Sequence, residues 1–434
     1  TFDSPDASYF VGGDNVCVTG ETGLGQCQVT INSDAPGILT ISAGADVEFT
    51  YPDADPITIP LDTTDDGEDL TKTYVDARIS LTPLNETNEV GDPHTVTAYV
   101  EIDDGSGWAD ADGVLVDFEI EPSGLTDSCT TGTDGTCSIT FTKTDAGVYT
   151  IHAEASGLDL GLGALVNIQT GPGEYGDDAT KTYVDASIEL TPPTATNDLD
   201  TDAEHTLTAI VSTSEGPAAD GTVVNFTVSG PATPPNGSCT ITNGLGTCDF
   251  TITGTGEGLV TITATTNVTV GGIVLTRTTG TAGNGDDATK TYVQARISIT
   301  PDEGVNAVDD PHTVTAYVEK NLGDAWEDAA GEDVLFTIVA GTGSFVGGID
   351  TCTTAADGTC SVQVISSDPT TLSIRAATTS GIDLGGGVVV DVATGPGEYD
   401  ADAIKYYVDA ELTLTCLLYT SDAADENQRV WLWG

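Results

Sequence analysis

One six-residue phrase recurs along this chain and fixes its architecture. Lys-Thr-Tyr-Val-Asp-Ala begins at Lys72 and at Lys181, and it returns as Lys-Thr-Tyr-Val-Gln-Ala from Lys290 and Lys-Tyr-Tyr-Val-Asp-Ala from Lys405. Its tyrosines, Tyr74, Tyr183, Tyr292 and Tyr407, stand 109, 109 and 115 residues apart. A period of that size is one whole domain, too long for a solenoid turn. A paired-cysteine segment recurs in step with it. The chain therefore reads as a string of modules. Residues 71–178, 179–287 and 288–402 are complete units, 1–70 is the C-terminal part of another, and 403–415 opens a further one. Each complete unit is long enough to bury its own core.

Inside a unit the apolar residues alternate with polar ones. In the first complete unit the alternation predicts strands over 75–81, 95–101, 114–120, 137–142, 148–153 and 164–169. Val114, Val116, Phe118 and Ile120 share one face of the third of these. Period-two alternation broken by regularly spaced turn signals is the pattern of an antiparallel sandwich, and no stretch carries a helical period. The expected fold class is all-β, with antiparallel β-sandwiches in tandem, end to end. Short acidic, glycine-rich stretches at 171–178, 283–287 and 395–400 are the expected joints.

Sixty-nine acidic residues face eleven basic ones, for a net charge of -58. That balance excludes nucleic acid and anionic membrane surfaces as partners and favours a self-repelling, extended object. No run of about 18 apolar residues is present, so no membrane insertion is expected in this fragment. The chain opens at Thr1 in mid-pattern and contains no methionine. Its natural N-terminus, with any signal peptide, is expected upstream.

With Cys416 set aside, eight cysteines form four local pairs: Cys17/Cys27, Cys129/Cys137, Cys239/Cys248 and Cys352/Cys360. Asp134-Gly135, Asn243-Gly244 and Asp357-Gly358 are hairpin signals inside three of them. A hairpin would bring each pair within bridging distance across neighbouring strands. The second cysteine shares parity with inward residues such as Ile139 and Phe141. One buried disulfide per module is expected, in an oxidising compartment. Zinc would need more soft ligands than two cysteines per module, and redox chemistry would need Cys-x-x-Cys.

His94, His205 and His312 occupy one repeated position, where each is expected to start a strand and tie a loop. His152 is expected on the surface. Lys72, Lys181, Lys290 and Lys405 are expected to offset the charge of the acidic joints. The joints also contain candidate calcium ligands: Glu174, Asp177, Asp178 and Asp185 in one, Asp286 and Asp287 in the next, and Glu398, Asp400 and Asp402 in the third. Carboxylates and loop carbonyls can supply the six to eight oxygens calcium takes. The competing reading is solvated acidic loops. Trp108 and Trp326 are candidate sugar- or protein-binding aromatics, against the alternative of rings packed over the sandwich end. Nothing resembles a catalytic constellation: Gly-x-Ser-x-Gly, His-Glu-x-x-His and phosphate loops are all missing from the sequence.

Ile79-Ser-Leu-Thr-Pro83, His94-Thr-Val-Thr-Ala98, Gly113-Val-Leu-Val-Asp-Phe118, Thr133-Asp-Gly-Thr136 and Val148-Tyr-Thr-Ile-His-Ala153 occur in that order. Together they resemble the bacterial Ig-like repeats of the invasin/intimin group. Asp145-Ala-Gly-Val-Tyr149 also resembles a tyrosine corner. The resemblance implies tandem Ig-like sandwiches on a prokaryotic surface, serving as the stalk of an adhesin-like protein, with a surface protein or glycan as partner. Two other functions fit the same pattern: Ig-like modules that themselves bind carbohydrate or protein, and the accessory region of a large extracellular enzyme. Residues 416–434 are expected to be non-native, because Cys416-Leu-Leu-Tyr-Thr-Ser-Asp-Ala-Ala-Asp-Glu426 resembles translated sequencing-adapter read-through.

Overall fold

A computed structural model describes residues 2–3, 9–19, 25–63, 67–161 and 163–415. The expectation for 416–434 falls outside the described residues. Ahead of the first complete module lie β1 (Gly37–Tyr51), β2 (Ala54–Asp62) and β3 (Leu70–Tyr74); residues 37–41 of β1 pair with β3 and residues 44–51 with β2.

The first complete module is built from ten strands: β4 (Asp76–Thr82), β5 (Asn85–Glu89), β6 (His94–Asp103), β7 (Trp108–Asp110), β8 (Leu115–Glu121), β9 (Leu125–Thr130), β10 (Thr136–Phe141), β11 (Gly147–Asp159), β12 (Leu165–Gln169) and β13 (Ala179–Val184). One sheet runs β9-β8-β11-β13-β5, with β12 also paired to β11. The other runs β10-β6-β4, with β7 at its edge. All pairs are antiparallel except β13 with β5. This is an Ig-like sandwich, and the next two modules repeat it.

The alternation read from the sequence lands on the core. Val116, Phe118 and Ile120 of β8 are buried, as are Val96, Ala98 and Val100 of β6 and Ile79 and Leu81 of β4. Period-two burial is what one face of a half-solvated sheet requires. Tyr149 Oη donates to Asp145 O at 3.1 Å, which closes the tyrosine corner.

Two strands do not follow from alternation. β5, Asn-Glu-Thr-Asn-Glu, has no apolar residue; it exists because β13 offers it a parallel ladder. β9 contains Cys129 and is exposed along most of its length.

The largest difference concerns the repeated phrase. The sequence reading attaches Lys-Thr-Tyr to the start of the module that follows. Its hydrogen bonds attach it to the module before: Lys181, Thr182 and Tyr183 pair with Tyr149, Val148 and Gly147. The same holds for Lys290 to Tyr292 and for Lys405 to Tyr407. The physical reason is burial. Tyr183 and Tyr292 lie in the cores of the first and second modules, whereas their neighbours Val184 and Val293 lie in the cores of the second and third. Strand parity turns successive side chains to opposite sides, so one module hands over to the next within a single residue step. Between the second and third modules the handover is one unbroken strand, Ala288–Thr300, paired at its start with 258–262 and at its end with 315–321.

Candidate functional site

The handover is the most built feature of the chain, and its polar groups are not those expected. Lys181, Lys290 and Lys405 are 0%, 0% and 1% exposed. They do not offset surface charge; they point inward beside the repeated histidine. Lys290 Nζ donates to Asn197 Oδ1, and Lys405 Nζ donates to Asn306 Oδ1. Lys181 instead has Glu86 Oε2 at 3.6 Å, and the same carboxylate lies 2.9 Å from His94 Nδ1. Burial pushes all three lysines down from the usual amine range, Lys290 to about 8. Burial, then the neighbouring lysine, likewise lowers His94, His205 and His312. The histidines start or nearly start their strands, as read from the sequence, with His94 edge-on to Phe141.

Around this step the modules touch. Arg277, 9% exposed, places Nη2 2.6 Å from Glu89 of the first module and 2.7 Å from Asp185 at the boundary. Its Nε donates to Ala186 O at 2.6 Å. A Cβ on Gly271 would meet Thr87 and Val184, so the hairpin tip of the second module rests on the first. At the next joint Gln294 Nε2 donates to Asp200 Oδ1 at 2.6 Å, and a Cβ on Gly323 would meet Thr291. Sequence reading missed Arg277 because it is a single residue with no counterpart in the other modules. It missed Asn88, Asn197 and Asn306 although they recur at the 109-residue spacing, which was the available signal.

The glycine-rich stretches are not linkers. Each folds back against the first strand of its own module. Gly285 N donates to Ile188 O, and a Cβ on Gly176 would meet Ile79 O. Asp178, Asp287 and Asp402 hold these loops. They accept from Thr170, Thr279 and Thr394 hydroxyls at 2.6, 2.5 and 3.1 Å. Asp178 also bonds His152 Nδ1 at 2.8 Å, so His152 is half-buried, not a plain surface group. Asp402 pairs with Arg375, and Asp400 Oδ2 accepts from Ile299 N. Asp185 belongs to the Arg277 cluster, Glu174 lies 3.5 Å from Gln169 Nε2, and Asp177, Asp286 and Glu398 are exposed. The structure therefore distributes the acids proposed as calcium ligands. Among the described residues no three His, Cys, Asp or Glu side chains converge as a metal site.

Trp108 and Trp326 are half-buried and engaged. Arg78 lies over Trp108 at 4.2 Å and Arg296 over Trp326 at 3.9 Å. Arg296 also covers Tyr399 at 4.6 Å, and Trp108 meets Tyr175 edge-on at 6.1 Å. Glu101 and Glu319 bond the two arginines at 2.6 and 2.8 Å. In the third module Arg296 thus bridges Trp326 to the glycine-rich loop at Tyr399, and in the first Trp108 meets the loop at Tyr175 directly with Arg78 over its ring. The second module has Ser187 where the others have arginine, and it lacks this arrangement.

All four expected disulfides are formed: Cys17–Cys27, Cys129–Cys137, Cys239–Cys248 and Cys352–Cys360. In the complete modules the expected hairpin is not what joins them. Cys129 lies on β9 in one sheet and Cys137 on β10 in the other, and the next two pairs repeat this. The turn crosses the sandwich, so each bond pins one sheet to the other.

Strand order and joints define the class: a tandem array of Ig-like β-sandwiches. Compared with family profiles and with curated proteins, the chain matches none. Among solved structures it is similar to the D0-D1 domains of intimin, at 19% identity over 52% of this chain and 98% of that one, TM-score 0.18. It is also similar to invasin, a bacterial integrin-binding protein, at 13% identity over 74% and 59%, TM-score 0.25. A third likeness is to InvD of Yersinia pseudotuberculosis, at 15% identity over 76% and 97%, TM-score 0.24.

Proposed function

We propose that this chain is the spacer region of a large secreted or cell-surface prokaryotic protein of adhesin type, a stiff run of sandwiches that holds another domain away from its anchor. The observation that carries this reading is the handover without a linker, at Tyr183-Val184 and Tyr292-Val293, where adjacent residues sit in successive cores. A binding or catalytic module needs a convergent polar site. Here Trp108 and Trp326 are engaged by arginines, and Asp178, Asp287, Asp400 and Asp402 hold loops, each at a separate place. Inter-sheet disulfides suit an oxidising extracellular setting, and the net charge of -58 opposes collapse.

Small-angle scattering of the whole chain tests the reading. A compact globule of this length has a radius of gyration of about 22 Å. The expected result is a rod-like curve with a radius well above that value, unchanged between low and high salt. A radius that shrinks toward the compact value as salt screens the charge would mean flexible beads held apart only by repulsion, and would end the spacer reading.

A further inference from the structure

We propose that Lys290 with Asn197, and Lys405 with Asn306, form intramolecular amide cross-links, made by the chain on itself, that fasten the last strand of the second and third modules to a strand near its start.

The placement comes from register. Thr194–Asp198 runs parallel to the opening of Ala288–Thr300, with Lys290 opposite Ala195 and Tyr292 opposite Asn197. In the third module Lys405 lies opposite Gly304 and Tyr407 opposite Asn306. Lysine and asparagine are diagonal neighbours on the inward face, within reach of a long side chain. Each Nζ touches the amide oxygen of its asparagine, one bond from the electrophilic Cγ. The amides are held at their other end too. Asn197 Nδ2 donates to Asp202 O at 2.9 Å and Glu204 O at 3.2 Å; Asn306 Nδ2 donates to Asp310 Oδ2 at 2.9 Å.

Neither lysine has an ion-pair partner among the described residues. A buried ammonium in that position is costly, which shifts the balance toward the neutral amine, the nucleophile. The lowered pKa of Lys290 and Lys405 follows from the same burial.

The step balances without a co-reactant. The ammonium first gives one proton to the nearby carboxylate, Asp310 in the third module and Asp202 in the second, and becomes the amine. The Nζ lone pair adds to Cγ, forming the Nζ–Cγ bond. The Cγ–Nδ2 bond breaks, and Nδ2 leaves as ammonia after taking one proton from Nζ by way of the carboxylic acid. One amine and one primary amide become one secondary amide and ammonia, with no change in oxidation state. Asp310, already bonded to the leaving nitrogen, is placed for that transfer.

The first module lacks the arrangement. Asn88 holds the equivalent position opposite Tyr183, but Glu86 stands opposite Lys181, where the other modules have Ala195 and Gly304. Glu86 keeps Lys181 as its ion-pair partner at 3.6 Å, and among the described residues Lys181 Nζ makes no hydrogen bond to Asn88. Two cross-links are therefore assigned, not three. They join residues 93 and 99 apart in sequence and bypass most of each module when its ends are pulled.

Intact-mass measurement of the full-length chain, with its disulfides reduced, tests this directly. The expected mass is about 34 Da below that of the reduced sequence, about 17 Da for each ammonia lost. Proteolysis should then yield two branched peptides, one joining Lys290 to Asn197 and one joining Lys405 to Asn306. Asn197→Ser and Lys290→Met should each restore about 17 Da, while the unmutated chain keeps the test decisive if a variant fails to fold. A reduced chain at full sequence mass overturns the proposal. So does ammonia loss with only unbranched peptides, the mark of a succinimide at Asn197-Asp198. A third branch at Lys181 would overturn the role given to Glu86.

Discussion

Tyr292 and Val293 are consecutive residues of one strand, and each is buried in a different hydrophobic core. Their substitutions should therefore damage different modules. Tyr292→Ala should destabilise the second module by about 3–5 kcal/mol, the usual cost of emptying an aromatic site. Val293→Ala should cost the third about 1.5–3 kcal/mol. Hydrogen exchange resolved by peptide checks this. Protection should fall in 186–292 for the first variant and in 294–408 for the second. Parallel loss across both modules in either variant would mean that they unfold as one body.

Arg277 reaches Glu89 of the preceding module while its Nε is tied to Ala186 O. Its carboxylate partners are partly solvated, so screening reduces what each ion pair contributes. Arg277→Ala should cost the second module about 1–2 kcal/mol. It should affect geometry more: the joint between first and second modules should loosen while the joint at Tyr292-Val293 stays stiff. Distances between spin labels on the exposed positions 95 and 206 should broaden in the variant, and distances between labels on 206 and 313 should not.

How much of this was legible follows from which force shaped each part. Strands such as β6 and β8 were readable because one face is buried and the other wet, which writes period two into the sequence. β5 was not, because an all-polar strand is held by the ladder that Lys181-Thr182-Tyr183 offers, a partner almost a hundred residues away. The cysteine pairing was readable from proximity, but its meaning was not. Asp134-Gly135 fits a hairpin as well as it fits a crossing between sheets, and only the partners of β9 and β10 decide. The lysines were misread because charge at an acidic boundary suggests compensation; the inward face they share with Tyr183 and Tyr292 is visible only once β13 is assigned to the earlier module.

Pinning one sheet to the other gives the disulfides a defined effect. Each closes a loop of 8 or 9 residues in the complete modules, for which chain entropy suggests about 2–3 kcal/mol. The double variant Cys129→Ser/Cys137→Ser should lower the unfolding free energy of the first module by that amount, read as a lower urea midpoint, and leave the other modules in place. Thiol titration of the folded, unreduced chain should find none of the eight paired cysteines reactive. Eight reactive thiols would remove the argument for an oxidising compartment.

His94 provides a pH test with a definite sign. Its pKa is lowered in the folded module, first by burial and then by the charge of Lys181, with Glu86 opposing both. The unfolded chain therefore binds a proton that the folded module resists. Stability from this group is complete above the unfolded value of about 6.5 and is lost as pH falls below it toward the folded value. The groups facing His94 are Glu86, Lys181 and the Phe141 edge. Protonation of other carboxylates and the easing of self-repulsion act on any variant alike, so the difference between two proteins isolates the histidine. Denaturant midpoints of the first module, measured from pH 7.5 to 5.5 for the native chain and for His94→Gln, should converge as pH falls: the native chain loses an advantage that glutamine never had. Midpoints that keep a constant separation over that range would show that His94 takes up its proton as readily in the folded module as outside it.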